Sequence, residues 1–163
     1  MHRERSSGAA GVRLFPAAGL LVAVLASVVV VRAWRGERSL AEGLAAQRRG
    51  YLDAATVAFR VASGYGNAEA AAERARLQLL RQDWAGARGS LREAKALAPT
   101  RGLPHVLQAQ LDMNIPGPWD DAREELVLGS CRIAAALEPH RDWIKRECES
   151  ITHRVAERRR PSK

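Results

Sequence analysis

Eighteen consecutive residues, Leu14 to Val31 (LFPAAGLLVAVLASVVVV), carry no charge. Arg13 bounds the run on one side, and Arg32, Arg35 and Arg38 bound it on the other. As a helix the run is about 27 Å long, close to the hydrocarbon thickness of a bilayer. It has no polar face to turn toward water, which suits lipid better than the interior of a soluble domain. Pro16 falls in the first turn, where its missing N–H costs little. A cleaved signal peptide has a shorter apolar region and a small-x-small exit, whereas this run leaves through Val31-Arg32-Ala33-Trp34-Arg35. The run is therefore expected to be an uncleaved transmembrane anchor, with Arg13, Arg32, Trp34 and Arg35 at the membrane interfaces.

The expected organisation follows from that anchor. A basic tail covers 1–13, the anchor 14–33 (its uncharged part 14–31 touching lipid), a juxtamembrane linker 34–38, a helical domain 39–158 and a second basic tail 159–163. Roughly 130 residues lie outside the tail and the run, enough for one modest domain. The net charge of +8 rests almost wholly on arginine, with only Lys95, Lys145 and Lys163 as lysines. Abundant Ala and Arg together match a GC-rich bacterial genome. Basic residues interleaved with aromatics on one element, the mark of a nucleic-acid groove, do not occur.

The side of the membrane is a closer question. Counting Lys and Arg alone slightly favours the C-terminal flank as cytoplasmic, yet long domains cross largely regardless of charge. The two cysteines weigh the other way. Cys131 and Cys148 flank Leu137-Glu138-Pro139-His140, which reads as a turn between two helices. A hairpin folded there brings the two thiols to one height, and Ile144, Cys148, Ile151 and Val155 form an apolar face. A Cys131–Cys148 disulfide is geometrically possible, and it would place the domain in an oxidising periplasm. Two unlinked core cysteines are the alternative. The expected location is the bacterial inner membrane, with the C-terminal domain in the periplasm.

Past Ser39 the chain reads as helix after helix, rich in Ala, Leu, Arg, Glu and Gln and nearly free of β-branched alternation. Breakers at Gly50, Gly64-Tyr65-Gly66, Gln82-Asp83, Pro99, Pro116-Gly117-Pro118 and Pro139 cut it into segments near 39–49, 52–63, 67–81, 84–97, 103–113, 119–137 and 141–158. Asn67, Asp83 and Thr100 are candidate N-caps. The segments repeat. Leu52, Trp84 and Trp119 each precede an alanine (Ala55, Ala87, Ala122), and Phe59, Leu91 and Leu126 each follow it by four. The alanines lie 32 and 35 residues apart, bracketing a repeat period of about 34.

This pattern resembles the tetratricopeptide repeat (TPR) family over residues 39–139. The resemblance implies an all-α fold: the transmembrane helix, then a solenoid of antiparallel helix pairs, then a capping helix at 141–158. It places Ala55, Ala87 and Ala122 at the small position of each second helix, with Leu52, Trp84, Trp119, Phe59, Leu91 and Leu126 as the bulky packing residues. Gly43 and Ala75 match the small position of the first helix, and Pro99 the closing proline. Unit one has Gly64-Tyr65-Gly66 in place of that proline, and unit three has a longer loop at 114–118.

No catalytic constellation stands out. His105, His140 and His153 with the cysteines lack metal-ligand spacing, and no nucleophile elbow, P-loop or dinucleotide glycine pattern occurs. Asp120-Asp121 and Glu124-Glu125 suit a helix start. Trp84 and Trp119 read as core rather than as a stacking platform. No cofactor, metal or enzyme activity is expected. The expected function is a membrane-anchored protein–protein interaction module whose concave helical surface grips a protein, as a scaffold or assembly factor for an envelope complex. Two alternatives are a permanent accessory subunit of a membrane complex and, least supported by the residues, an enzyme. In the accessory-subunit reading Gly19, Ala23 and Ala26-Ser27 would pack against other membrane helices.

Overall fold

The computed structural model describes residues 15–158. They form seven helices: α1 (Phe15–Arg48), α2 (Leu52–Gly64), α3 (Ala68–Leu80), α4 (Trp84–Leu97), α5 (Leu103–Asn114), α6 (Asp121–Leu137) and α7 (Asp142–Arg158). No strand occurs among the described residues.

The first finding departs from the sequence reading. Residues 34–38 are not a linker, because α1 runs through them without a break for 34 residues. Nothing in the segment can stop a helix except Gly36, and Gly36 is held by its neighbours. A Cβ built there would lie 3.4 Å from the Tyr65 Cβ and 3.6 Å from the Asn67 Cβ. Arg38 and Glu42, one turn apart, add a 3.0 Å ion pair on the exposed side. The apolar run and the first repeat helix are thus one rod.

Local chemistry ends the other helices where the breakers stand. At the end of α1 the Tyr51 N–H donates to the Ala46 carbonyl (2.9 Å) around Gly50 at φ +81°, a left-handed stop that glycine adopts freely. The same stop at the end of α3 uses Gln82 at φ +60°, with Asp83 N–H donating to the Gln78 carbonyl (2.9 Å). Asn67 and Asp83 cap their helices by accepting from the Ala70 and Gly86 N–H groups (both 2.9 Å), and Asp120 does so from Arg123 N–H (2.8 Å). Thr100 caps nothing: α5 begins after Gly102, with Pro104 in its first turn.

Helices pack as pairs, α1 on α2, α3 on α4, α5 on α6, and each pair meets the first helix of the next. Three cores follow in sequence. Leu40, Phe59 and Leu77 centre the first, Leu91, Leu107 and Leu111 the second, and Val127, Ile144 and Ile151 the third. Each joins one pair to its successor, as expected of a quasi-one-dimensional stack. α3 also touches α5, and α5 touches α7, whereas α2, α4 and α6 form no comparably close pair. The first helices therefore line the tighter, concave side.

Units one and two bury the same positions counted from their helix starts, and unit three buries others. Ala55, Phe59, Ala87 and Leu91 are fully buried, while Leu52 and Trp84 are half-buried against the same cores. Ala122 is exposed, and Leu126 is 62 % exposed. The inward residues of α6 are Glu124, Val127, Cys131 and Ala134. Counted from the N-caps the reason is plain. Ala55 and Ala87 stand four residues after Tyr51 and Asp83, and the residue four after Asp120 is Glu124. Trp84 begins its helix, but Trp119 lies before its cap, in the loop, so aligning the two tryptophans displaces the whole of α6 by two positions.

Candidate interaction surface

The concave face carries a groove crossed by the starts of α3, α5 and α7. Its broadest part, about 540 Å³, is lined by Glu37 of α1, by Glu69 and Ala72 of α3, and by Leu103, Pro104 and Trp143 around Arg101. Further along, Arg76, Val106, Leu107, Gln110 and Glu147 form the floor, and the groove ends near Leu80, Trp84 and Asn114.

Its polar groups hold one another in place. Arg76 donates through Nη1 to both carboxylate oxygens of Glu73, at 2.9 and 3.2 Å. Glu73 is only 7 % exposed. Burial raises its pKa, Arg76 pulls it back in part, and the neighbouring Glu69 charge raises it further. Gln110 Nε2 donates to Glu147 Oε1 (2.7 Å), tying α5 to α7. Glu147 is half-buried in the groove floor. Glu73, Arg76, Gln110 and Trp143 were not singled out at all. Polar residues on first helices look like ordinary solvated positions until the stack curves them toward one another.

A second polar cluster lies behind the groove, where α2, α3 and α4 meet. Arg74 reaches Ser63 (3.2 Å), Ser90 (2.9 Å) and Glu93 (2.5 Å), and Ser90 donates onward to Gln78 (2.6 Å). Its side chain is 13 % exposed, so the arrangement fixes the register of three helices.

Trp119 is half-buried against the third core and carries the 114–118 loop rather than a helix start. The Arg123 and Arg158 guanidiniums sit 5.4 and 4.8 Å from its ring. Arg123 also donates to the carbonyls of Asp112, Ile115, Gly117 and Pro118, and Arg158 to that of Met113 (2.9 Å). The loop is pinned by backbone carbonyls.

Cys131 and Cys148 lie on facing stripes of α6 and α7, both buried and both free thiols. Cys148 Sγ donates to the Cys131 carbonyl at 3.6 Å. Burial pushes the Cys131 thiol up to about 12 and raises Cys148 as well. Neither is a thiolate at neutral pH in this arrangement. His140 and His153 are exposed and His105 is half-buried. No group of three or more metal-ligating side chains occurs among the described residues.

At the other end, residues 19–31 are exposed along their whole length, with Leu20 at 70 % and Val30 at 66 %. α1 is long and apolar enough to cross a membrane. Arg32 donates to the Gly64 carbonyl (3.5 Å), Trp34 is exposed beneath the Arg38 guanidinium at 5.6 Å, and Arg35 is exposed. Arg13 and both tails lie outside the described residues.

These helices define an all-α, TPR-like stack of helix pairs. Among solved structures the chain is similar to one described as the Arabidopsis OM64 TPR domain. The TM-score is 0.64 at 16 % identity, over 78 % of this chain and 98 % of that one. No family model matches the sequence. No curated protein matches it either.

Proposed function

We propose that the chain is a membrane-tethered protein-interaction module. The apolar part of α1 anchors it in a bacterial inner membrane. The stack lies in the periplasm, and its concave face holds a protein partner as a scaffold or assembly factor for an envelope complex. One observation carries the reading. A single unbroken helix is exposed at every residue from 19 to 31 and then buries Gly36, Leu40 and Gly43 as the first helix of the stack. Exposed apolar surface of that extent needs lipid or protein to cover it. The groove sets Arg76, Gln110 and Glu147 beside Leu103, Pro104 and Trp143, a mixed polar and apolar lining of the kind protein interfaces use.

The test is retention and pull-down of the full chain. The protein is expected to stay with membranes through carbonate washing. In mild detergent it is expected to retain a partner that is lost with Gln110→Arg on the groove floor and kept with Arg88→Glu on the outer face of α4. Release by carbonate, or equal loss with both variants, overturns the reading.

A further inference from the structure

The continuity of α1 has a geometric consequence for what the groove can reach. Glu37 lines the groove and stands six residues beyond Val31, about 9 Å along the helix axis. The interfacial layer of a bilayer adds roughly 5–8 Å outside each edge of the hydrocarbon. The α2–α3 turn is fastened to α1 at the same height. Gly36 leaves space for Tyr65, Asn67 Nδ2 donates to Glu37 Oε1 at 2.9 Å, and Arg32 reaches the Gly64 carbonyl. α3, α5 and α7 all begin at this end, because Asn67, Arg101 and Arg141 line the groove together with Glu37.

We propose that the groove opens at the bilayer surface and accepts the juxtamembrane segment of a membrane-inserted protein partner, the stretch of chain just outside its apolar span. This rests on the reading of α1 as an anchor. A free soluble peptide has no reason to use a mouth that faces the headgroups. Lipid headgroups reach it, but Glu37, Glu69 and Glu138 outnumber Arg101 and Arg141 at the mouth and oppose an anionic lipid. An apolar floor of Leu103, Pro104 and Trp143 between those opposite charges suits a chain of mixed charge. Arg101 and Glu69 are both exposed. Glu69 is available to a cation on such a chain.

The experiment uses the full chain in native membranes, with p-benzoylphenylalanine placed at Arg101 or, at the far end of the groove, at the exposed Leu80. Irradiation at Arg101 is expected to give protein adducts that map within about 10 residues of a membrane-spanning run, a reach of some 35 Å of extended chain. Leu80 is expected to give about tenfold less of them. Glu69→Lys, on an exposed position with the fold checked by circular dichroism, is expected to cut the Arg101 adduct about tenfold by replacing an attraction with a repulsion. Adducts to lipid alone, adducts mapping far from any span, or equal yields at the two positions overturn the proposal. If the protein itself is released by carbonate, the anchor reading fails first. Retention without juxtamembrane adducts sinks only the inference drawn here.

Discussion

Gly43 of α1 faces the Phe59 ring of α2 so closely that a Cβ built at Gly43 would lie 2.5 Å from Phe59 Cε1 and 2.6 Å from Cδ1. Phe59 is fully buried, so the ring cannot swing away. Gly43→Ala is expected to destabilise the stack by about 1–3 kcal/mol, outweighing the gain of up to about 1 kcal/mol from replacing a mid-helix glycine. Adding Phe59→Leu should recover part of that loss relative to the sum of the two single changes. Thermal melting of the four variants in detergent checks this, and strict additivity would show that the two residues are not coupled.

The shifted register of α6 yields a paired test. Ala87 is fully buried, and Ala87→Leu is expected to cost about 1–3 kcal/mol through overpacking. Ala122 is exposed, and Ala122→Leu should change stability by no more than about 0.5 kcal/mol. Chemical denaturation of both variants distinguishes the observed register from the one obtained by aligning Trp84 with Trp119, which requires equal losses.

Glu73 makes stability depend on pH. Its pKa is raised from 4.5, first by burial, with Arg76 opposing. The folded state thus holds the proton more firmly than the unfolded chain does. The stability this confers is fully present below about pH 4.5 and is lost as pH rises through the elevated folded value. Glu73→Gln is expected to flatten that part of the stability–pH curve. The check is urea unfolding of both proteins from pH 4 to pH 8; an unchanged slope in the variant removes Glu73 as the source.

For the cysteines we propose that Cys131 and Cys148 are bridged in the mature protein. The loop closed is about 17 residues, worth roughly 3 kcal/mol in the chain-entropy model. Burial holds the Cys131 thiol up at about 12, which starves exchange of thiolate once the helices have packed, so the bridge should close during folding. Membranes prepared without reductant, then denatured and alkylated, are expected to show no labelled thiol until reductant is added. Two labelled thiols without reductant would rule the bridge out.

Much of this architecture was legible before any coordinates. Helix-forming residues between closely spaced breakers give boundaries within about two residues for the six helices from α2 to α7. Asn67 and Asp83 act as the caps their side chains suggest. The alternation of small and large residues in units one and two marks the faces that Ala55, Phe59, Ala87 and Leu91 bury. Those features are local, set by backbone donors and side chains within a turn or two of each other.

Three things were decided only by tertiary packing. α1 stays helical through 34–38 because Tyr65 and Asn67 close over Gly36, a contact across some 30 residues of sequence. α6 takes its register from the Asp120 cap because Trp119 is held in the loop between Arg123 and Arg158, and Arg158 arrives from the far end of the chain. The groove exists because α3, α5 and α7 approach on the inside of the curve and bring Glu37, Arg101, Gln110 and Glu147 onto one surface. A sequence shows which face of a helix is apolar. Where that face comes to rest depends on contacts between residues far apart in the chain, and those carry no local period to be read.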